Sequence, residues 1–182
     1  MLNLSIAERL ALLELAEATA PAPAAPALSP IERVDRSGPL PLSFAQARLW
    51  FMDRMGSTGA AYHISTGLRL SGALDRAALV RALDGMVRRH EALRTTFAEV
   101  DGEPVQRIAP AEASRFHLVD HDLGTGDGAG EELRRIVAEE TGAPFSLERG
   151  PLVRGSLVRM GPDEHVLLVT LHHIVSDGWS MG

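Results

Sequence analysis

A nearly unbroken apolar run near the carboxyl end constrains the fold of this chain more than any other feature. The segment HVLLVTLHH, residues 165–173, contains five aliphatic side chains with a single threonine among them. A strand with one solvated face alternates apolar and polar residues, whereas a run without alternation is typical of a strand covered on both faces. The run therefore predicts a layered α/β fold, in which helices pack on a sheet that contains this strand.

Two hairpins and two further strands are predicted from the pattern along the chain. The segment LVRGSLVRM precedes the apolar run and is joined to it by the turn GPDE, which predicts an antiparallel hairpin. ALRTTFAEV and PVQRI flank a DGE turn in the same way. YHISTGLRL alternates like a strand, and RFHLVD is a further strand candidate. Together these segments predict a mixed, mostly antiparallel sheet without internal repeats.

Three helices are predicted in the globular part of the chain. The first two begin after the N-cap residues Ser43 and Asp75, and the third, EELRRIVAEETGAPF, ends at the stop signal of Gly142 and Pro144. In the first helix the apolar spacing predicts one buried stripe, formed by Phe44, Ala47, Phe51 and Met55. In the second helix the predicted apolar face consists of Leu79, Leu83, Met86 and Val87.

The amino-terminal part has a different character from the rest. Residues 3–18 show helical apolar spacing, and Ser5 and Glu8 form a capping-box pattern, so residues 1–19 are interpreted as a short amphipathic helix. Residues 20–37 are an Ala/Pro-rich linker that favours extended backbone, and the globular part begins at residue 38. Two interpretations of the helix stay open, since it can dock onto an upstream protein or pack on its own domain.

Composition and charge exclude several classes of partner. The net charge is −6, and acidic and basic residues are interspersed, so the basic stripe of a nucleic-acid-binding protein is missing. No apolar run is long enough to span a membrane, and the amino terminus lacks the basic start of a signal peptide. The chain has no cysteine, which excludes disulfides and thiol nucleophiles and suits a cytoplasmic protein.

The segment LHHIVSDGWS, residues 171–180, carries the strongest chemical signal. His172 and His173 stand where the buried strand ends, and successive strand side chains point to opposite faces, so only one imidazole faces a given cavity. Asp177 and Gly178 form a turn that follows. From the residues alone three alternatives to catalysis by histidine stay open: a structural histidine pair, a metal site, and a Ser–His–Asp hydrolase. The chain has no second cluster with zinc-like spacing and no nucleophile elbow.

Three motifs in order identify a known family. The segment HHIVSDG resembles the HHxxxDG signature of the condensation-domain superfamily of nonribosomal peptide synthetases, whose fold is similar to that of chloramphenicol acetyltransferase. PLSFAQARLWFMDRM and RRHEALRTTF resemble the two earlier motifs of that family. The resemblance covers residues 38–182 and implies the amino-terminal lobe of a condensation domain. Both histidines are present and Trp179 precedes Ser180, which favours condensation over heterocyclisation or epimerisation.

The resemblance implies an acyltransferase activity that forms amide bonds. Family members join a donor acyl thioester, held on the 4'-phosphopantetheine arm of a carrier protein, to the amine of an acceptor aminoacyl thioester. By position His173 is the implied catalytic residue, which takes the proton of the attacking amine or orients that amine. An imidazole titrates close to neutral pH, which suits this role. No cofactor is expected to bind the domain directly, and no metal.

The resemblance also implies supporting roles around His173. His172 is expected to pack or to form a structural hydrogen bond, and Gly178 to line the cavity. Asp177 is expected to form a structural ion pair with an arginine of the second motif, either Arg89, which is preferred, or Arg94. This pairing predicts that Arg89→Ala markedly lowers thermal stability. Three residues of the first motif are expected to support the fold rather than touch substrate, namely Gln46, Arg48 and Trp50.

The implied partners are the donor and acceptor peptidyl carrier proteins and the adenylation domain of the same synthetase. Because the chain begins with Met1, it is interpreted as the first domain of its synthetase, which receives a starter group from acyl-CoA or a peptidyl group from an upstream synthetase docked at residues 1–20.

A complete domain has two similar lobes with the active site between them. The chain stops at Gly182, so the lobe is expected to be inactive alone. The alternative is a non-catalytic module of the same superfamily that recruits partners.

Overall fold

The computed structural model describes residues 34–36, 38–56 and 59–180. The chain divides into two units, Met1–Asp35 and Arg36–Gly182, and all that follows concerns the second unit. The predicted helix at residues 3–18, the docking element at residues 1–20 and most of the 20–37 linker lie outside the described residues.

The described part of the second unit contains strands, helices and short turns. The strands are β1 (Leu40–Pro41), β2 (His63–Ser71), β3 (Thr95–Val100), β4 (Glu103–Ile108), β5 (His117–Asp122), β6 (Val153–Gly161) and β7 (Glu164–His172). The helices are α1 (Phe44–Arg54), α2 (Arg76–Arg89) and α3 (Ala129–Gly142). Short 3-10 turns cover Gly59–Tyr62, Glu91–Arg94 and Ala111–Ala113.

The strands form two sheets among the described residues. The larger sheet has the order β2-β7-β6-β5, and the smaller has the order β1-β4-β3. All neighbouring strands are antiparallel except β5 and β6, which are parallel. The predicted hairpins β3–β4 and β6–β7 are both present. The expected fold class, a mixed and mostly antiparallel sheet with helices packed on it, is confirmed.

Strand β7 is covered on both faces, as its apolar run predicts. Leu171 packs with Val87 of α2, whereas Leu168 packs with Ile136 of α3. These two β7 residues are three positions apart and therefore point to opposite faces of the sheet. Helices α2 and α3 consequently lie on opposite faces of the larger sheet. Strand β7 is therefore covered by a helix on each side.

Helix α1 begins where the sequence predicts. Ser43 is its N-cap, and the Gln46 N–H donates to Ser43 Oγ over 3.2 Å while the Ser43 N–H donates to Gln46 Oε1 over 2.9 Å. This capping box satisfies two of the backbone donors that a helix start leaves free. Gln46 thus supports the fold of the first motif.

The predicted buried stripe on α1 is wrong. Phe44 is 98% exposed, and Phe51 and Met55 are also exposed. Instead Leu49 and Trp50 pack against the buried cluster that contains Phe97. Helical spacing defines a stripe of side chains, but two apolar faces compete on this helix, and the neighbouring elements decide which one is buried.

Candidate functional site

The two adjacent histidines have opposite environments at the end of β7. His172, the last residue of the strand, is buried with 4% of its surface exposed, whereas His173 is exposed. The alternation of side chains along an extended backbone explains the difference. The position therefore presents one imidazole to solvent and holds the other inside the lobe.

The contacts of His173 fix which of its two ring nitrogens carries the proton in the neutral form. Its backbone N–H donates to the Tyr62 carbonyl over 2.8 Å, and its Nδ1 lies 2.9 Å from the Ser176 carbonyl oxygen. A carbonyl oxygen only accepts hydrogen bonds, so Nδ1 carries the proton when the ring is neutral. The lone pair then resides on Nε2, which is the arrangement that a general base needs.

His172 has the opposite hydrogen-bond arrangement. The Ile174 N–H donates to Nδ1 of His172 over 3.1 Å, so this nitrogen is an acceptor and the ring is neutral. Burial, reinforced by the neighbouring rings of His63 and His173, lowers the pKa of His172 to about 4. The neutral ring holds the backbone of the turn that directly follows His173.

A ring cluster around His172 was missed from the sequence. Phe145 contacts His63 edge-on at 4.9 Å and His172 at 6.0 Å, measured between ring centroids. Nδ1 of His63 donates to the Thr141 carbonyl of α3 over 2.8 Å. His63 lies opposite His172 because β2 pairs with β7 in this register. The register is a long-range feature, and the sequence analysis did not assign it.

The stability of the lobe is expected to fall as the pH drops from about 6.5 towards 4. The pKa of His172 is lower in the folded chain than in the unfolded chain, so the unfolded state takes up the proton first. The free energy of unfolding therefore has its full value above pH 6.5. Below this pH the protonation of His172 lowers it by about 2 kcal/mol, after allowance for solvent screening. Urea unfolding between pH 4 and 8 measures this loss. The His172→Asn variant, which keeps an acceptor for the Ile174 N–H, should not show it.

The turn after His173 is closed locally by Asp177. Its carboxylate Oδ1 accepts from the Ser180 N–H over 2.9 Å and from the Ser180 hydroxyl over 2.7 Å. These hydrogen bonds, the hydroxyl contact first, lower the pKa of Asp177. Ile174 and Val175 anchor the preceding part of the turn in the buried cluster of Phe97. The segment that carries His173 is thus fixed on both sides.

The expected ion pair between Asp177 and an arginine of the second motif is absent from the described part of the chain. Asp177 is exposed and bonds Ser180 instead. Arg89, the preferred partner, is the exposed last residue of α2. Arg94 donates to the Ala109 carbonyl and pairs with Glu91 at 3.3 Å. The carboxylate of Asp177 accepts its hydrogen bonds from Ser180 within the same turn, so it does not need an arginine as a partner.

Arg154 forms an ion pair inside the lobe. Its Nε lies 2.9 Å from Glu140 Oε1, the two side chains are 15% and 9% exposed, and Ser156 donates to the second carboxylate oxygen over 2.8 Å. The guanidinium also covers the Phe145 ring at 3.9 Å. This network links α3 to the ring cluster around His172.

Arg154→Ala is therefore expected to destabilise the lobe by about 2 kcal/mol, because it leaves Glu140 buried without its counter-charge. Arg89→Ala is the matched control and should change the free energy of unfolding by less than about 0.5 kcal/mol. Chemical denaturation of both variants measures the difference. A larger loss in Arg89→Ala than in Arg154→Ala would restore the original expectation.

The structure also locates the other residues that the sequence analysis singled out. Trp50 packs against the Phe97 cluster, which agrees with a supporting role, whereas Arg48 is exposed. A Cβ built on Gly178 meets no atom within 4 Å, so the lobe itself tolerates a side chain there. Within the described ranges, no three metal-ligating side chains are grouped to hold an ion, and no helix has the length and apolarity to cross a membrane.

Comparisons with known proteins identify the family. Residues 36–182 match the sequence profile of the family described as Condensation domain. Malpibaldin synthetase of Mortierella alpina is 48% identical over 152 residues, which are 84% of this chain and 3% of that protein. The chain thus spans a small part of such synthetases.

Solved structures show the same fold. The first condensation domain of the calcium-dependent antibiotic synthetase, in complex with a substrate analogue, is 30% identical with a TM-score of 0.69, and the match covers 80% of this chain and 35% of that one. The complex of the X-domain and OxyB from teicoplanin biosynthesis matches at 35% identity with a TM-score of 0.67, over 78% of this chain and 29% of that one. The exposed histidine after β7, the profile match and these likenesses together establish that the chain belongs to the condensation-domain family.

Proposed function

We propose that this lobe contributes His173 to amide-bond formation between two carrier-bound substrates. The observation that supports the proposal is that the imidazole is exposed and its Nδ1–H donates a hydrogen bond to the Ser176 carbonyl. A ring fixed in this way offers Nε2 to a substrate without a change of tautomer. The buried neutral ring of His172 and the core residues Ile174 and Val175 hold the backbone on which His173 stands.

The chemistry of the step follows from this geometry. The acceptor amine attacks the carbonyl carbon of the donor thioester, a C–N bond forms, and collapse of the tetrahedral intermediate breaks the C–S bond. The amine proton passes to Nε2 of His173 and from there to the departing thiolate, so protons and charge balance. A positioned base of this kind contributes about 10²–10⁴-fold to the rate. Alignment of the two substrates contributes more, since effective molarities reach about 10⁵ M.

The partners belong to the same proposal. Donor and acceptor carrier proteins present their substrates on 4'-phosphopantetheine arms, and an adenylation domain loads the acceptor. The donor comes from acyl-CoA or from an upstream synthetase. We place the reaction in the cytoplasm, which suits a chain without cysteine. The lobe itself needs no resident cofactor in this scheme.

The 182-residue chain alone is expected to form no dipeptide, because the solved condensation domain that it matches is about three times longer than the matched part. A lobe that supplies one side of the site does not align two thioesters. The assay supplies both loaded carrier proteins and follows the amide product by mass spectrometry, with the short chain and with a chain extended to a complete condensation domain. Product with the extended chain and none with the short chain supports the proposal. Product with the short chain contradicts the need for a second lobe.

A second candidate function is partner recruitment without catalysis. The 35% identity to the X-domain, which one structure shows in a complex with OxyB, favours it. The extended chain distinguishes the two functions. If it forms no product with any loaded carrier pair but captures a protein partner, the recruitment function replaces catalysis.

A further inference from the structure

The carboxyl end of α3 is held by side chains of the larger sheet. The last four carbonyl groups of a helix find no partner within the helix, and the last turn of α3 has no basic residue of its own. Nδ1 of His63, in β2, donates to the Thr141 carbonyl over 2.8 Å. Arg154, in β6, donates to three carbonyl groups at the helix end or just beyond it, those of Glu140, Ala143 and Pro144. The sheet therefore fixes where α3 ends.

Arg154 also fixes the ring of Phe145, which follows the helix end. The guanidinium lies over that ring, 3.9 Å from its centroid. The carboxylate of Glu140 holds the guanidinium Nε at 2.9 Å, and both charged side chains are largely buried. A guanidinium combines a flat face for stacking with several fixed N–H directions, whereas an ammonium group does not. Arg154 thus joins the helix end and the aromatic ring in a single arrangement.

Phe145 contacts the structure on both sides of His173. On one side its ring meets the His172 ring edge-on, with the two centroids 6.0 Å apart. On the other side it packs against the buried cluster that contains Ile174 and Val175. Nδ1 of His172 also accepts from the Ile174 N–H over 3.1 Å, which links the two sides. One aromatic ring therefore supports both backbone segments between which His173 stands.

The position of the His173 ring depends on this backbone support. The imidazole is exposed, and its side-chain hydrogen bond is to the Ser176 carbonyl of the same turn. A general base acts within hydrogen-bond reach of the proton that it takes, at about 2.6–3.2 Å. A displacement of about 1 Å caused by a change far from the reacting atoms can slow a reaction by about 10²-fold. A residue that fixes the backbone at His173 can thus set the rate without touching substrate.

We propose that Phe145 is a positioning residue for amide-bond formation. Held by Arg154, its ring keeps the backbone at His172 and Ile174 in the place where Nε2 of His173 meets the acceptor amine. This role rests on the proposed function, since that function makes Nε2 of His173 the reacting nitrogen. A change at Phe145 therefore slows the chemical step and leaves the binding of the loaded carrier proteins nearly unchanged.

The test uses single-turnover assays of a complete condensation domain that contains this lobe. Phe145→Leu keeps an apolar side chain but removes the ring, and it should slow the step by about 10–100-fold. The KM for the loaded carrier proteins should stay within about twofold of the original value. Phe145→Tyr keeps the ring, and Phe145 borders a cavity of about 450 Å³ with room for the hydroxyl. This variant should keep at least about half of the rate.

Two further variants separate positioning from stability. Ile136→Val shortens a buried side chain of the same helix in a different cluster, so it lowers stability without reaching Phe145. Its rate should stay within about twofold of the original rate. Arg154→Lys keeps the charge beside Glu140 but cannot both cover the ring and reach three carbonyl groups, so it should slow the step as Phe145→Leu does.

Amide hydrogen exchange in the 182-residue chain supplies a readout that does not depend on activity. In Phe145→Leu the Ile174 amide, which bonds His172, should exchange about 10-fold faster relative to the Val158 amide of β6. A general loss of stability would change both amides alike, as expected in Ile136→Val. An unchanged ratio in Phe145→Leu overturns the positioning role.

The rates distinguish this role from the proposed function. If His173→Ala is slow but Phe145→Leu reacts at the original rate, or no more slowly than Ile136→Val, the positioning role is wrong and the proposed function stands. Equal losses in Phe145→Leu and Phe145→Tyr also contradict it, since the second variant keeps the ring. If His173→Ala keeps full activity, the proposed function and the positioning role fail together.

Discussion

Replacing His173 by alanine is expected to slow dipeptide formation by a complete condensation domain that contains this lobe by about 10²–10⁴-fold. The variant removes Nε2, the group that takes the amine proton in the proposed step. The melting temperature should stay nearly unchanged, because the imidazole is exposed and its side-chain hydrogen bond is to the Ser176 carbonyl. Single-turnover assays with preloaded carrier proteins measure the rate of the chemical step without product release.

His173→Asn provides the matched control for positioning. The asparagine amide N–H₂ replaces Nδ1–H as the donor to Ser176, but the side chain has no basic nitrogen. If proton transfer is the role of His173, both variants should be equally slow. If the imidazole only orients the turn, the asparagine variant should recover most of the rate. Full activity in the alanine variant would remove His173 from the mechanism.

Phe97→Ala is expected to destabilise the lobe by about 3–5 kcal/mol, the usual cost of removing a buried aromatic ring. Phe97 is 1% exposed, and its cluster includes Leu147, Ile174 and Val175. A domain of this size has a total stability of about 5–15 kcal/mol, so the loss is a large fraction of it. Urea unfolding of the variant measures the change in the free energy of unfolding.

Phe44→Ala is the control with the same change of side chain. Phe44 is 98% exposed, so its removal should change the free energy of unfolding by less than about 0.5 kcal/mol. Equal losses in the two variants would show that Phe44 is covered in solution. The Phe97 variant should also loosen the turn that carries His173, because Ile174 and Val175 pack in the same cluster.

The sequence alone predicted the three helices of the lobe, six of the seven described strands and their layered arrangement. The uninterrupted apolar run of β7 required cover on both faces, and α2 and α3 supply it through Val87 and Ile136. N-caps at Ser43 and Asp75 located two helix starts, because a side-chain acceptor at that position satisfies free backbone donors. Such signals are local, and a single sequence displays them.

The sequence also determined that the two adjacent histidines differ in environment, since neighbouring strand residues face opposite ways. Only the tertiary structure decided which nitrogen of each ring accepts, because that depends on the Ser176 carbonyl and on the Ile174 N–H. It likewise bonded Asp177 to Ser180 rather than to Arg89, and turned Phe44 to solvent. These outcomes depend on contacts between segments distant in the chain or on the exact closure of a turn. Residue spacing encodes which side chains share a face, whereas packing chooses which face is buried and which groups meet.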